Sequence, residues 1–336
     1  VKTLYDYFKN VQIDLLVNDD TLEVARLLPC VSFIHTFSYQ KKQNSRFKQE
    51  KNLIFSLFRK YDLSINLTAS DRSVIYALLA GKKSISAVEK EQKKSWWKKN
   101  LLTYYYYFDP NKHILTNNLQ ALNILKISHK KIIPSITFSK SITVKVKERL
   151  NFNGIEQFII FHPSAQYNYK VYPKHLRDQL LHLLNDLALP IIITGGSSDI
   201  DFRIKNEIPA LPNIYNLIGE TSLEEFFILS QLSLAYVGMD TLNMHIASSQ
   251  NKSIFAIFGP TNLRMWSPWS NQDRMSATQN KLIQTYGNVT IFQASLPCVA
   301  CGKAGCDDNH GKSNCLYAIS PVIVFNEIKE WYSQSI

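Results

Sequence analysis

The residues best suited to chemistry cluster at Gly238-Met239-Asp240-Thr241-Leu242-Asn243-Met244-His245, directly after an apolar run at 234–237. Asp240 or Thr241 is a natural N-cap for a helix over 244–249. The amides of Leu242, Asn243 and Met244 then open the helix without intrahelical acceptors. Such a turn attracts anions, and a diphosphate matches its charge and reach. His245 either hydrogen-bonds a phosphate or braces the loop. Three more polar loops follow apolar runs: His162-Pro163-Ser164-Ala165, with Lys170 shortly after; Thr194-Gly195-Gly196-Ser197-Ser198-Asp199; and Gly259-Pro260-Thr261-Asn262. These parts suit the departure of a diphosphate from an activated group. The leaving group gains negative charge as its bond stretches, and donors aimed at that charge favour the transition state over the ground state. No G-x-G-x-x-G fingerprint accompanies these loops, so dinucleotide redox chemistry finds no support.

The elements around these loops alternate. Short β-rich runs at 12–17, 64–67, 157–162, 190–194, 234–237 and 253–258 are spaced by amphipathic segments at 46–59, 72–79, 114–125, 174–187, 223–230 and 244–249. That alternation predicts α/β architecture with parallel sheets, whose ligands sit outside the carboxyl ends of the strands. The Asn-Gly stretch at 151–156 suggests domains over 1–152 and 153–320. A last helix over 322–333, within a 321–336 segment, is expected to pack back toward the first domain.

Charge separates the halves more sharply than composition does. The 336-residue chain is 45% hydrophobic with a net charge of +11. Residues 1–150 hold 26 Lys+Arg against 12 Asp+Glu, whereas 151–336 hold 12 against 15, so a half at +14 precedes one at −3. A basic half draws polyanions: phosphorylated lipid, an anionic membrane surface or nucleic acid. A solvated lysine-rich surface is the plainer alternative. No nucleic-acid motif accompanies the charge, so no nucleic-acid partner is expected. Glu89-Lys90-Glu91-Gln92-Lys93-Lys94-Ser95-Trp96-Trp97-Lys98-Lys99, then the aromatic run 104–108, reads either as a membrane-interface segment or as a surface loop before a buried strand. No apolar run is long enough to span a bilayer. The opening residues, from Val1, read as the middle of a helix, and an N-terminal piece is expected to precede them.

Cys298, Cys301, Cys306 and Cys315, with His310 as a substitute, offer a Cys-x2-Cys start for a structural metal. Their second pair is spaced too widely for a standard knuckle, and free cysteines packing a C-terminal loop are the alternative. With no export signal, a reducing cytoplasmic setting is the default and disulfides are not expected.

The stretch Asp240-Thr241-Leu242-Asn243-Met244-His245-Ile246-Ala247, followed by Phe258-Gly259-Pro260-Thr261, resembles the signature of the ADP-heptose:lipopolysaccharide heptosyltransferases. Gly195-Gly196, the stretch 217–224 and Lys170 before Tyr172-Pro173 match in order and spacing. Trp266-Ser267-Pro268-Trp269-Ser270-Asn271 and the Cys-rich tail look most like the heptosyltransferase III branch. The resemblance implies a GT-B fold, with two Rossmann-like domains facing a central cleft. It implies inverting transfer of heptose from ADP-heptose to the inner core of lipopolysaccharide, with no cofactor or divalent metal. The acceptor would be a lipid A–core glycolipid, met peripherally at the cytoplasmic face of the inner membrane. By the same resemblance Lys170 contacts the donor phosphates, Asp240, Thr241, Leu242, Asn243 and His245 hold diphosphate and sugar, and Ser164 and Ala165 lie against phosphate. Thr221 and Leu223 would border the adenine, and Asp199 or Asp201 the ribose hydroxyls. Leu242-Asn243 stands where the family has Gly-Pro, which leaves another nucleotide sugar (hexose or N-acetylhexosamine) as an alternative donor. A non-catalytic binding protein of the same fold is a further alternative. The family's catalytic base is an Asp in a loop that would precede Val1, and no residue of this sequence matches it.

Overall fold

Parallel pairing dominates both halves of the computed structural model, which describes residues 1–39, 43–90, 95–128 and 136–335. Its strands are β1 (Asp14–Asn18), β2 (Phe33–Phe37), β3 (Tyr61–Asn66), β4 (Gly81–Glu89), β5 (Tyr104–Phe108), β6 (Ile159–His162), β7 (Ile191–Ile193), β8 (Ile214–Asn216), β9 (Ala235–Met239), β10 (Ser253–Ile257), β11 (Ile283–Tyr286) and β12 (Val289–Phe292). Two compact units hold them, Val1–Thr137 and Phe138–Ile336.

In the first unit β1 pairs with β2, and β3, β4 and β5 form a second parallel sheet. The Tyr61 hydroxyl donates to Asp14 at 2.7 Å and Lys60 reaches the same carboxylate at 3.1 Å, tying β3 to β1. The helix Gln43–Leu57 buries Leu53 and Leu57 in a cluster with Phe37, Tyr76 and Ala80. Lys98 is fully buried, bridging Asp71 at 2.7 Å and Glu89 at 2.8 Å and donating to the Ala69 carbonyl. The Lys-Trp stretch is therefore no uniform interface. A buried ammonium persists only when carboxylates and carbonyls surround it, and Lys98 is such a core cation, while neighbouring Trp96 is exposed. Glu91-Gln92-Lys93-Lys94 lie outside the described residues. The aromatic run forms the strand β5, with Tyr106 buried and Tyr104, Tyr105 and Tyr107 exposed.

The second unit is built on a seven-stranded sheet of order β11-β12-β10-β9-β6-β7-β8, antiparallel only at β11. Alternation fixes its faces. Ile159, Phe161, Ile191, Ile193, Val237 and Met239 share one core with Leu180, Leu181 and Leu184 of the helix Lys174–Asn185 and Val324 and Ile328 of the helix Pro321–Ser335. The terminal helix packs on Lys174–Asn185 within the second unit. Its Val324 and Ile328 complete a core that a single helix leaves uncovered. The second compact unit begins at Phe138. The helix Lys140–Phe152 buries Val146 and Leu150 and packs on the helix Leu223–Leu232, with Lys145 2.8 Å from Glu225. The Asn-Gly turn, with Gly154 at φ +64°, only separates that helix from β6. Among the described residues no helix is long and apolar enough to cross a membrane.

Candidate functional site

The strand order reverses at β6, whose neighbours are β7 on one side and β9 on the other. Parallel strands leaving a switch point in opposite directions open a crevice at their carboxyl ends. The loops after β6 and β9 flank that crevice and carry the sequence-singled residues. Gly238 lets them approach: a Cβ there would lie 2.5 Å from the His162 carbonyl and 2.9 Å from the Tyr236 hydroxyl.

Lys170 Nζ donates to Asp240 Oδ2 at 2.9 Å across this crevice, with Asp240 buried and Lys170 partly so. The pair brings together residues far apart in the chain. Thr241 occupies the N-cap position of the helix Leu242–Ser249, but its hydroxyl does not cap the turn. It lies 3.3 Å from the buried Tyr236 hydroxyl instead. The first intrahelical bond is His245 N–H to the Thr241 carbonyl at 3.4 Å. Met244, Ile246 and Ala247 anchor the helix, so its opening turn is rigidly presented. Leu242 is 45% exposed, so its side chain stands in solvent rather than in the core; Asn243 is half-buried. The half-buried His245 ring has its pKa lowered by burial, with Asp240 opposing and Lys170 reinforcing the shift, so it is neutral near pH 7.

The loops after β6 and β7 are locked by one carboxylate. Buried Asp201 accepts from the Ser164 hydroxyl, from the Gly196 amide at 3.0 Å, and from the Ser198 amide at 2.9 Å and its hydroxyl at 2.5 Å. Burial alone would raise its pKa, but the bonds from Ser164, Ser198 and the amides outweigh that and hold it below the usual carboxylate range. Asp201 forms a capping box with Ser198 at the start of the helix Asp199–Glu207. Both of its oxygens thus accept hydrogen bonds from within the protein. Ser164 likewise spends its hydroxyl on Asp201, while Ala165 is buried beside it. Asp199, at the exposed first position of the same helix, keeps its carboxylate in solvent. Behind them His162 Nδ1 meets the Thr194 hydroxyl at 3.0 Å, and burial pushes the imidazole down to about 4.

Thr221 and Leu223 lie on the next loop outward, after β8, which adjoins Gly195 through the Gly219 amide at 3.2 Å. Ser222 caps the helix Leu223–Leu232 in a box with Glu225. Sequence reasoning missed Glu220 here, which bridges Lys205 at 2.8 Å and Arg149 at 2.6 Å. No local signal marks it, because Arg149 is distant in sequence. The stack of Tyr167, Tyr169 and His310, with ring centroids 5.4 to 5.6 Å apart, was missed too. It sets the Cys-rich loop against the loop bearing Lys170. His310 is the ring that the Cys-rich loop contributes to this stack. Cys298, Cys301 and Cys306 are exposed and Cys315 is buried, its thiol pushed up to about 11 by burial. Among the described residues no group of three or more His, Cys, Asp or Glu is arranged to hold a metal ion.

The model of glycosyltransferase family 9 (heptosyltransferase) matches residues 51–293. The chain belongs to that family. This family-9 glycosyltransferase is 24% identical over 282 residues to lipopolysaccharide heptosyltransferase 3 of Escherichia coli K12, covering 80% of each chain. It is 30% identical over 122 residues to lipopolysaccharide heptosyltransferase 2 of the same organism, covering 34% of each. Among solved structures it is similar to E. coli ADP-heptose lps heptosyltransferase II, with TM-score 0.70 at 17% identity over 99% of this chain and 93% of that one. It is also similar to E. coli heptosyltransferase WaaC with ADP-2-deoxy-2-fluoro heptose, at TM-score 0.67 and 13% identity over 100% and 93%. These likenesses identify the GT-B fold class expected from the sequence.

Proposed function

We propose that this family-9 glycosyltransferase moves a heptose from ADP-heptose to the inner core of a lipid A–core glycolipid, with inversion at the anomeric carbon. The observation that carries the reading is the meeting of Lys170, Asp240 and the uncapped opening turn of Leu242–Ser249 at the switch point of the second sheet. A hydroxyl of the acceptor attacks the anomeric carbon and gives up its proton to a general base or to water, while the bond from that carbon to the β-phosphate oxygen breaks. Charge accumulating on the departing ADP falls to the Lys170 ammonium and the amides at 242–244. Asp240 holds the ammonium in place before the donor arrives and then faces the sugar hydroxyls. Asp240 is not assigned as the base that takes the acceptor proton. Thr221, Leu223 and Asp199 border the nucleoside, and Ser164 and Ala165 shape the phosphate wall. The first half, at +14, meets the acceptor phosphates and the anionic cytoplasmic leaflet of the inner membrane.

The test is transfer of radiolabelled heptose from ADP-heptose to a series of truncated cores. Transfer to a core lacking its side-branch heptose supports the reading, and no transfer to any core removes it. The exposed Leu242 beside Asn243 favours one second reading, a different nucleotide sugar on the same site. Thermal stabilisation by ADP-, UDP- and GDP-sugars separates the two: only the ADP series should raise Tm.

A further inference from the structure

We infer that the helix Gln43–Leu57, with the residue that extends it, docks this chain on the surface of an anionic lipid bilayer. Phe47, Lys51, Phe55 and Phe58 recur at helical spacing and share one face. Phe47 is 75% exposed, Phe55 74% and Phe58 59%. The Phe58 amide still bonds the Ile54 carbonyl at 2.9 Å, so the stripe runs past the last helical residue. The helix cannot turn to hide these rings, because Leu53 and Leu57 on its other side are held in the core with Phe37, Tyr76 and Ala80. Aromatic rings aligned on a fixed, outward face mark an interaction surface rather than scattered exposure.

Charge selects the partner. Residues 41–60 contain seven Lys or Arg and one Glu. Arg46, Lys48 and Lys51 are exposed, and none of them enters a salt bridge among the described residues. Lys51 sits within the ring stripe, its Nζ 5.9 Å from the centroid of Phe55. Protein interfaces deplete lysine at their centres, and a second copy of so basic a face would be repelled. A bilayer accepts both features at once. The rings enter the boundary between headgroups and acyl chains, and the ammonium groups meet lipid phosphates. The surface accords with the lipid-linked acceptor proposed above, yet it stands on the helix alone and is tested without any sugar.

The experiment is flotation of the full chain with vesicles of phosphatidylcholine alone and of equal parts phosphatidylcholine and phosphatidylglycerol. The wild type should float with the anionic vesicles and stay behind with the neutral ones. Phe47→Ser with Phe55→Ser and Phe58→Ser should weaken partitioning on the order of tenfold or more. Lys48→Glu with Lys51→Glu should weaken it by at least ~30-fold, since each basic residue is worth roughly fivefold at such a surface. The charge pair alters solvent-exposed side chains and keeps the test open should the ring variant misfold, which an unchanged Tm excludes. Trp96→Ser, at the other candidate segment, should float like the wild type. Equal flotation with neutral vesicles, undiminished flotation of both variants, or loss confined to Trp96→Ser overturns the inference. So does a dimer in sedimentation that the ring variant dissolves. A chain that floats as stated yet transfers no heptose supports this surface and removes only the proposed reaction.

Discussion

At the scale of single residues the site depends on charges held where they act. Lys170 lies against Asp240 at 2.9 Å, which fixes the position of its ammonium, and the proposed reaction uses it there. Lys170→Ala should lower kcat/KM for ADP-heptose by about 10²–10³, the usual loss on removing one donor to a developing anion. Steady-state transfer kinetics check it, and unchanged values would take Lys170 out of the mechanism. His162 makes a different demand. Burial carries its imidazole from 6.5 to about 4, so the fold binds fewer protons than the unfolded chain between those values. The unfolded state is therefore favoured as pH falls through that window, and stability present above pH 6.5 is lost toward pH 4. The loss should reach about 3 kcal/mol. Urea unfolding at stepped pH measures it, and His162→Gln should flatten the dependence.

At the scale of elements the crevice follows from the reversal of strand order at β6, which pairs with β9 up to His162 and Gly238. Gly238→Ala would force a Cβ to within 2.5 Å of the His162 carbonyl. The strands must separate, at a cost of about 1–3 kcal/mol typical of overpacking. Chemical denaturation should show that loss, and binding of ADP followed by calorimetry should weaken with it. Asp201 joins the loops after β6 and β7 through Ser164, Gly196 and Ser198. Its pKa lies below the ordinary carboxylate range, so its contribution is present at neutral pH and is lost as acid titrates it. Asp201→Ala leaves two hydroxyls and two amides short of an acceptor and should destabilise by about 1–3 kcal/mol. Urea midpoints at neutral pH read this out, and the difference from wild type should shrink in acid.

At the scale of the whole molecule charge and thiol exposure are distributed unevenly. The basic half and the near-neutral half are contiguous in sequence and correspond closely to the two compact units. The cysteines divide by burial. Cys298, Cys301 and Cys306 should alkylate in the folded protein, whereas Cys30 and Cys315 should react only on unfolding. Mass spectrometry after pulsed iodoacetamide reads the order, and early labelling of Cys315 would contradict its burial.

Local pattern by itself determined the alternation of strands and helices, the four polar loops at strand ends, and the helix that follows Asp240-Thr241, because periodicity and turn chemistry are properties of neighbours in the chain. It also made the charge asymmetry plain. Only the tertiary structure decided that Lys170 pairs with Asp240, that Asp201 ties together the loops after β6 and β7, that Lys98 is a core cation, and that Lys140–Phe152 and Pro321–Ser335 pack within the second unit. Each of these turns on contacts between residues distant in sequence. Burial and hydrogen-bond saturation depend on which surfaces meet, and no window along the chain contains that information.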